Sequence, residues 1–215
     1  MKYKTILFDL DGTLLNTLDD LIDAANHELL RCGYPQRTGD EIRMFLGNGY
    51  RALMQRSLPE GCSEKEVEAC TESMRSYYYN HSCHRTKPYP GILELLQQLR
   101  AEGTMVGVVS NKMDEAVKKL CEHYLPGLVD VAVGEMEGIA RKPSPDTVEY
   151  ALMMLDAAKD DAVYIGDSEV DVATAKNAGI PCLAVCWGFR DKAMLKEAGA
   201  DIIVETTEEL LYALK

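Results

Sequence analysis

Thr5-Ile6-Leu7-Phe8-Asp9-Leu10-Asp11-Gly12-Thr13 is the stretch on which the fold turns. A short apolar run stopped by Asp-Leu-Asp-Gly reads as a buried strand ending in a polar loop. The pattern after it changes in kind. Leu18, Leu21, Ile22, Ala25 and Leu29 recur at helical spacing up to Gly33. Thr38 or Asp40 can cap a second helix running to Leu46, and Gly47-Asn48-Gly49 separates it from a third at Tyr50 to Ser57. Ser63-Glu64-Lys65-Glu66 is a capping box that opens a long helix running through Tyr77. No segment between Asn16 and Ser82 alternates with period two, so this part reads as all-helical.

A turn-rich junction, Lys87-Pro88-Tyr89-Pro90-Gly91, ends the helical part. Beyond it strands and amphipathic helices alternate. Strands are expected at Met105 to Val109, Val129 to Val133, Ala162 to Ile165 and Cys182 to Val185, with one more near the end of the chain. Such alternation predicts a parallel sheet covered by helices on both faces. The fold class is therefore α/β, a Rossmann-like parallel sheet flanked by helices with an inserted all-helical cap domain. The first strand belongs to that sheet, which gives a core of residues 1–15 and 86–215 and a cap of residues 16–85.

Composition narrows the function classes. The 215 residues are 47% hydrophobic and 27% charged, the balance of an ordinary globular chain. No apolar run approaches the roughly 18–20 residues that span a bilayer, and the N-terminus lacks the features of a signal peptide. A cytoplasmic location is the expectation. A formal net charge of -12 opposes nucleic-acid and anionic-membrane surfaces. An anionic substrate must then be drawn in by local positive charge, from a metal and a few lysines. Seven scattered cysteines with no CxxC spacing argue against a disulfide framework and a structural zinc site, and read as buried small hydrophobes. The four histidines, His81 and His84 among them, lack ligand-spaced companions and read as surface residues.

In open parallel sheets, ligands bind at the carboxyl ends of the strands. Those ends carry Asp9-Leu10-Asp11-Gly12-Thr13, Ser110-Asn111-Lys112, then Arg141-Lys142-Pro143 ahead of a helix, and Gly166-Asp167-Ser168-Glu169-Val170-Asp171. Each loop taken singly is unremarkable, since acidic residues are common at helix caps. Four such loops in order on one sheet edge point to a site.

FDLDGTL, VVSNK, the KPSP segment and GDSEVD resemble, in order, the four motifs of the haloacid dehalogenase superfamily. The resemblance covers nearly the whole chain and is nearest to the phosphoglycolate-phosphatase-like subgroup. It implies a magnesium-dependent phosphatase that cleaves a small phosphate monoester, 2-phosphoglycolate first among them, through an aspartyl-phosphate. Asp9 would be the nucleophile and Asp11 the general acid and then base. Mg²⁺ would be held by the side chains of Asp9 and Asp167 and the backbone carbonyl of Asp11. Thr13, Ser110, Asn111 and Lys142 would bind the phosphate. Gly12 and Gly166 would allow close backbone approach. Ser168 would support the site, and Asp171 would either orient Lys142 or support the metal shell. In the cap, Asn48, Gly49 and Arg51 are candidates for substrate choice, Arg51 through a carboxylate or second phosphate. Tyr77-Tyr78-Tyr79 reads as packing between cap helices. The partner expected is a small phosphate ester, with neither nucleic acid nor membrane, and the chain is expected to be a monomer or homodimer. Alternatives are a sugar-phosphate mutase or other phosphotransferase on the same core, and a nucleotide or pyrophosphate phosphatase. A signalling receiver domain would lack the helical insertion and the Asp9-Asp11 pair, and a non-catalytic binding protein would have lost a catalytic side chain.

Overall fold

The computed structural model describes all 215 residues, which form two compact units, residues 1–16 with 88–215 and residues 17–87. The first unit holds a six-stranded sheet in the order β5-β4-β1-β6-β7-β8, with every pairing parallel. The strands are β1 (Thr5–Phe8), β4 (Met105–Met113), β5 (Val131–Glu135), β6 (Ala162–Gly166), β7 (Cys182–Val185) and β8 (Ile202–Val204). Two-residue strands, β2 (Leu15–Asn16) and β3 (Lys87–Pro88), make a separate ribbon. All four residues of β1 are buried because it lies between β4 and β6 with both faces covered, which is why it reads as an unbroken run. The Rossmann-like α/β class expected from the alternation is the one observed.

Helices α5 (Ile92–Ala101), α6 (Asp114–Tyr124), α7 (Asp146–Met154), α8 (Glu169–Ala178), α9 (Lys192–Glu197) and α10 (Thr207–Leu214) flank this sheet. Leu7, Val109, Val133 and Tyr164 from the strands pack with Val148, Ala151 and Leu152 of α7 and Ala175 of α8. The chain order 1-4-5 runs one way from β1 and 6-7-8 runs the other. The carboxyl ends of β1 and β6 therefore flank a topological switch point, the crevice where open α/β sheets bind ligands.

Two strands depart from expectation by two residues or more. β4 continues past Val109 to Met113, with a break in register against β5 between those residues. Ser110, Asn111 and Lys112 thus lie in extended, irregular backbone rather than in a free loop. β5 starts two residues late because Asp130 is used in the turn. Its N–H donates to the Val106 carbonyl, and its carboxylate accepts from the Val106 N–H at 2.8 Å and from Arg100 at 2.8 Å.

The second unit contains α1 (Leu18–Arg31), α2 (Gly39–Phe45), α3 (Gly49–Ser57) and α4 (Glu64–His81). Capping boxes start α2 at Thr38–Glu41 and α4 at Ser63–Glu66. The Asp20 carboxylate accepts from the backbone N–H groups of Arg85 and Thr86 and from the Thr86 hydroxyl at 2.7 Å. That contact ties the end of the unit to its first helix. Of the three consecutive tyrosines only Tyr78 packs inside, while Tyr77 stacks on His27 and His81. The cysteine reading needs correction. All seven are free thiols, but only Cys70 and Cys121 are buried, because several of the others sit at element ends such as the C-cap of α1 at Cys32. No helix is long and apolar enough to cross a membrane.

Candidate active site

Four chain segments bring their side chains together at the carboxyl edge of the sheet. Asp9 follows the last residue of β1, and its N–H donates to the Ile165 carbonyl of β6 at 2.8 Å, so the backbone is pinned as the chain leaves the sheet. Leu10 to Leu15 then close on themselves, with the Leu14 and Leu15 N–H groups both donating to the Leu10 carbonyl. Gly12 sits in this loop at φ 88°, a conformation that favours glycine, and a Cβ there would run into the Asp167 carboxylate. Gly166 is equally constrained, since its Cβ would meet the side chain of Asp171.

Lys142 is the hub. Its ammonium donates to Asp9 Oδ1 at 2.7 Å, Asp171 Oδ1 at 2.8 Å and the Tyr164 hydroxyl at 3.0 Å. Its side chain is only 3% exposed, so the charge survives because carboxylates surround it. Burial opposes that charge, yet Asp171 and Asp9 outweigh burial and hold its pKa well above the usual lysine value. Asp171 caps α8 as well. Its Oδ2 accepts from the Ser168 N–H at 3.1 Å and the Ser168 hydroxyl at 2.6 Å. Both Asp171 oxygens are therefore engaged, one by the lysine and one by the helix start.

Asp167 is 1% exposed and accepts from the Phe189 N–H through Oδ2 at 2.6 Å. Burial, reinforced by Asp171 and Asp9, pushes its pKa well above the carboxylate range. Asp9 is raised to about 7, by burial first and then by repulsion from Asp171 and Asp11, with Lys142 pulling the other way. Asp9, Asp167 and Asp171 each offer an oxygen within 4.8 Å of the others. Buried carboxylates this close repel one another, and an oxygen-ligated cation would relieve that repulsion. The donor set fits a hard divalent ion.

Asp11 stands apart from this triad. Its Oδ1 lies 3.1 Å from the Lys112 ammonium, whose side chain is 2% exposed. Ser110 Oγ accepts from the Lys112 N–H at 3.2 Å, and the Asn111 side-chain amide donates to the Lys142 carbonyl at 3.0 Å, linking two of the loops. The Thr13 hydroxyl is buried with no hydrogen-bond partner, and the Thr13 carbonyl accepts from Trp187 Nε1 at 3.0 Å. Asn48, Gly49 and Arg51 belong to the helical unit, where Asn48 precedes α3 and the Arg51 guanidinium pairs with Glu64 and Glu68.

Sequence reasoning quoted Lys112 at a strand end without giving it a role, and it passed over Tyr164, Gly188 and Phe189. Lys112 left a signal, a lysine directly after a run of buried strand residues. The segment after β7 left none in its residue types. There a Cβ on Gly188 would meet the Asp167 side chain and the Gly12 carbonyl, so glycine is needed for close packing alone.

An acid-rich centre at the switch point of a Rossmann-like parallel sheet, with a helical unit inserted after the first strand, defines a class of hydrolytic enzyme. The chain belongs to the haloacid dehalogenase-like hydrolase family, whose profile matches residues 6–185. Among its relatives, the phosphoglycolate phosphatase of Aquifex aeolicus is 34% identical over 187 residues, 86% of each chain. The pyrophosphatase PpaX of Bacillus anthracis is 30% identical over 221 residues, covering 100% of this chain and 97% of its own. A crystal structure from Lactobacillus delbrueckii subsp. bulgaricus superposes with a TM-score of 0.93 at 39% identity, over 100% of this chain and 99% of that one.

Proposed function

We propose that this enzyme is a Mg²⁺-dependent phosphatase that hydrolyses a small phosphate monoester through an aspartyl-phosphate on Asp9. The observation that carries the reading is the buried ammonium of Lys142 held between Asp9 and Asp171, beside Asp167. Phosphate esters hydrolyse so slowly unaided that about 20 kcal/mol or more must be supplied, chiefly by positioning and charge. The fixed ammonium provides both.

Lys142 grips Asp9 through Oδ1 and so fixes the plane of the carboxylate. An Asp9 oxygen attacks phosphorus, the bond to the ester oxygen breaks, and that oxygen takes a proton from Asp11 and leaves as an alcohol. Water then attacks the same phosphorus and gives a proton to Asp11, and phosphate departs with Asp9 restored. Asp9 and Asp167 would hold Mg²⁺ by side chain and Asp11 by its backbone carbonyl; the bound ion supplies positive charge that lets a carboxylate meet a phosphate dianion. Asp171 orients Lys142, since both its oxygens are spent on the lysine and the start of α8. Lys112 fixes the side chain of Asp11. Ser110, Asn111 and Thr13 complete the phosphate cradle, and the Thr13 hydroxyl, buried without a partner, supplies a spare donor.

The substrate we favour is 2-phosphoglycolate, supported by the name of the Aquifex aeolicus relative. Pyrophosphate is the second reading, supported by the full-length match to the Bacillus anthracis enzyme. Phosphate release from 2-phosphoglycolate, pyrophosphate, sugar phosphates and nucleoside monophosphates, with Mg²⁺ and with excess chelator, decides between them. Chelator-sensitive release concentrated on one compound supports the reading and names the substrate. No release from any of them, or release indifferent to chelator, would overturn it.

A further inference from the structure

A second constellation of ligand atoms lies wholly within the helical unit. Glu28 and Cys32 are four residues apart at the end of α1, and Cys70 lies on α4, which packs against α1. Cys32 Sγ is 3.4 Å from Cys70 Sγ and 3.4 Å from Glu28 Oε1, and all three ligand atoms lie within 4.8 Å of one another. The Glu28 side chain is fully buried, Cys70 is 4% exposed, and Cys32 is partly open to solvent.

These spacings can be compared with two kinds of bond. A tetrahedral ion with metal–sulfur bonds of about 2.3 Å and metal–oxygen bonds of about 2.1 Å has edges of roughly 3.8 Å between sulfurs and roughly 3.6 Å from sulfur to oxygen. The two edges at Cys32 agree within a few tenths of an ångström, and the third is within 4.8 Å. A disulfide, at about 2.05 Å, would need the two sulfurs to close by roughly 1.4 Å. The spacing suits an ion between the thiols better than a bond between them.

Charge points the same way. Arg31 Nε and Nη2 donate to Glu28 Oε2 and Oε1 at 2.8 and 2.6 Å, the outer partner that a ligating carboxylate needs. Two thiolates and one carboxylate, set against one guanidinium and one divalent cation, leave no net charge. We propose that Glu28, Cys32 and Cys70 form a binding site for a thiophilic divalent cation of the zinc type, with the fourth position open to water beside Cys32. Binding releases the two thiol protons and forms two metal–sulfur bonds, with no change in oxidation state. It cross-links the end of α1 to the middle of α4.

The test is a Co²⁺ titration of the full chain under reducing conditions, in excess Mg²⁺ so that the oxygen-ligand site is already filled. The expected result is a thiolate-to-cobalt charge-transfer absorption that saturates at one ion per chain. The band should be absent in Cys32→Ser and Cys70→Ser, and Glu28→Gln should bind at least about 10-fold more weakly. A measurement on the unsubstituted chain covers the case in which a variant does not fold. Zn²⁺ should protect Cys32 and Cys70, and no other cysteine, from alkylation in a peptide map. An absent band, a band that persists in Cys70→Ser, or a mass loss of two hydrogens from a Cys32–Cys70 disulfide without metal uptake overturns the proposal.

Discussion

The Lys142 ammonium lies 2.7 Å from Asp9 Oδ1, although the two residues are 133 positions apart in the chain. The same ammonium reaches Asp171, so one cation neutralises two buried carboxylates. Lys142→Met should lower kcat/KM by about 10²–10³-fold, as loss of a fixed charge at a phosphoryl centre does. Leaving the carboxylates unpaired should also cost about 3–5 kcal/mol of stability. Steady-state kinetics and denaturant unfolding measure the two effects, and near-normal values for both would remove Lys142 from its assigned place.

In the proposed mechanism, Asp9→Asn removes the attacking oxygen and Asp11→Asn the proton donor. Each should reduce turnover by at least about 10³-fold. The two should part company on rapid quench with ³²P-labelled substrate, where Asp11→Asn retains the capacity to label the chain and Asp9→Asn does not. Label incorporated into Asp9→Asn would place the nucleophile elsewhere.

The raised pKa of Asp9 has a consequence for stability without metal. A carboxyl whose folded pKa, about 7, exceeds its unfolded value, 3.8, favours folding below the unfolded value. That contribution is lost as pH rises through 7, because ionising the buried group is then unfavourable. Asp9→Asn cannot ionise, so the metal-free variant should gain on the wild type between about pH 4 and 7 and keep a lead on the order of 1–3 kcal/mol above that. Urea unfolding in chelator across pH 4 to 8 reads this directly. A lead that is constant over the whole range would contradict it.

In the helical unit, Asp20→Ala would leave the Arg85 and Thr86 N–H groups and the Thr86 hydroxyl without their acceptor. A cost of about 2–4 kcal/mol is expected. Asp20→Asn should recover part of it, because an amide oxygen still accepts while the amide nitrogen does not. Thermal melts of the three proteins would settle the order.

Arg51→Ala tests the role in the cap given to this residue. Glu64 and Glu68 already engage its guanidinium, so binding a substrate carboxylate would require exchange of partners. If that exchange occurs, KM for 2-phosphoglycolate should rise about 10-fold or more with KM for p-nitrophenyl phosphate unchanged. Equal changes for both substrates would end the assignment.

The architecture was legible because each level of the sequence agreed with the next. β1 betrays its central place through an unbroken apolar run, and Ser63–Glu66 announces α4 through its own capping chemistry. The acidic loops were legible from their positions after strands. What stayed hidden depends on which distant side chains meet. Tyr164 looks like any strand aromatic until its hydroxyl is found beside Lys142, and Cys32 and Cys70 are 38 residues apart with no shared motif. The end of β4 was misjudged because its irregular register past Val109 comes from pairing with β5, which local residue types do not encode.

The central position of β1 also sets an order of events during biosynthesis. Thr5 leaves the ribosome well before Met105 and Ala162, its neighbours in the sheet. At about 5–20 residues per second, the second neighbour follows the first strand by roughly 8–30 s. The helical stretch in between is contiguous and can fold locally meanwhile, whereas the sheet must wait for long-range pairing. The strand that presents Asp9 is thus made ahead of the two strands that flank it and is secured only once both have followed, and a nascent chain that stops short of them has no assembled site with which to react.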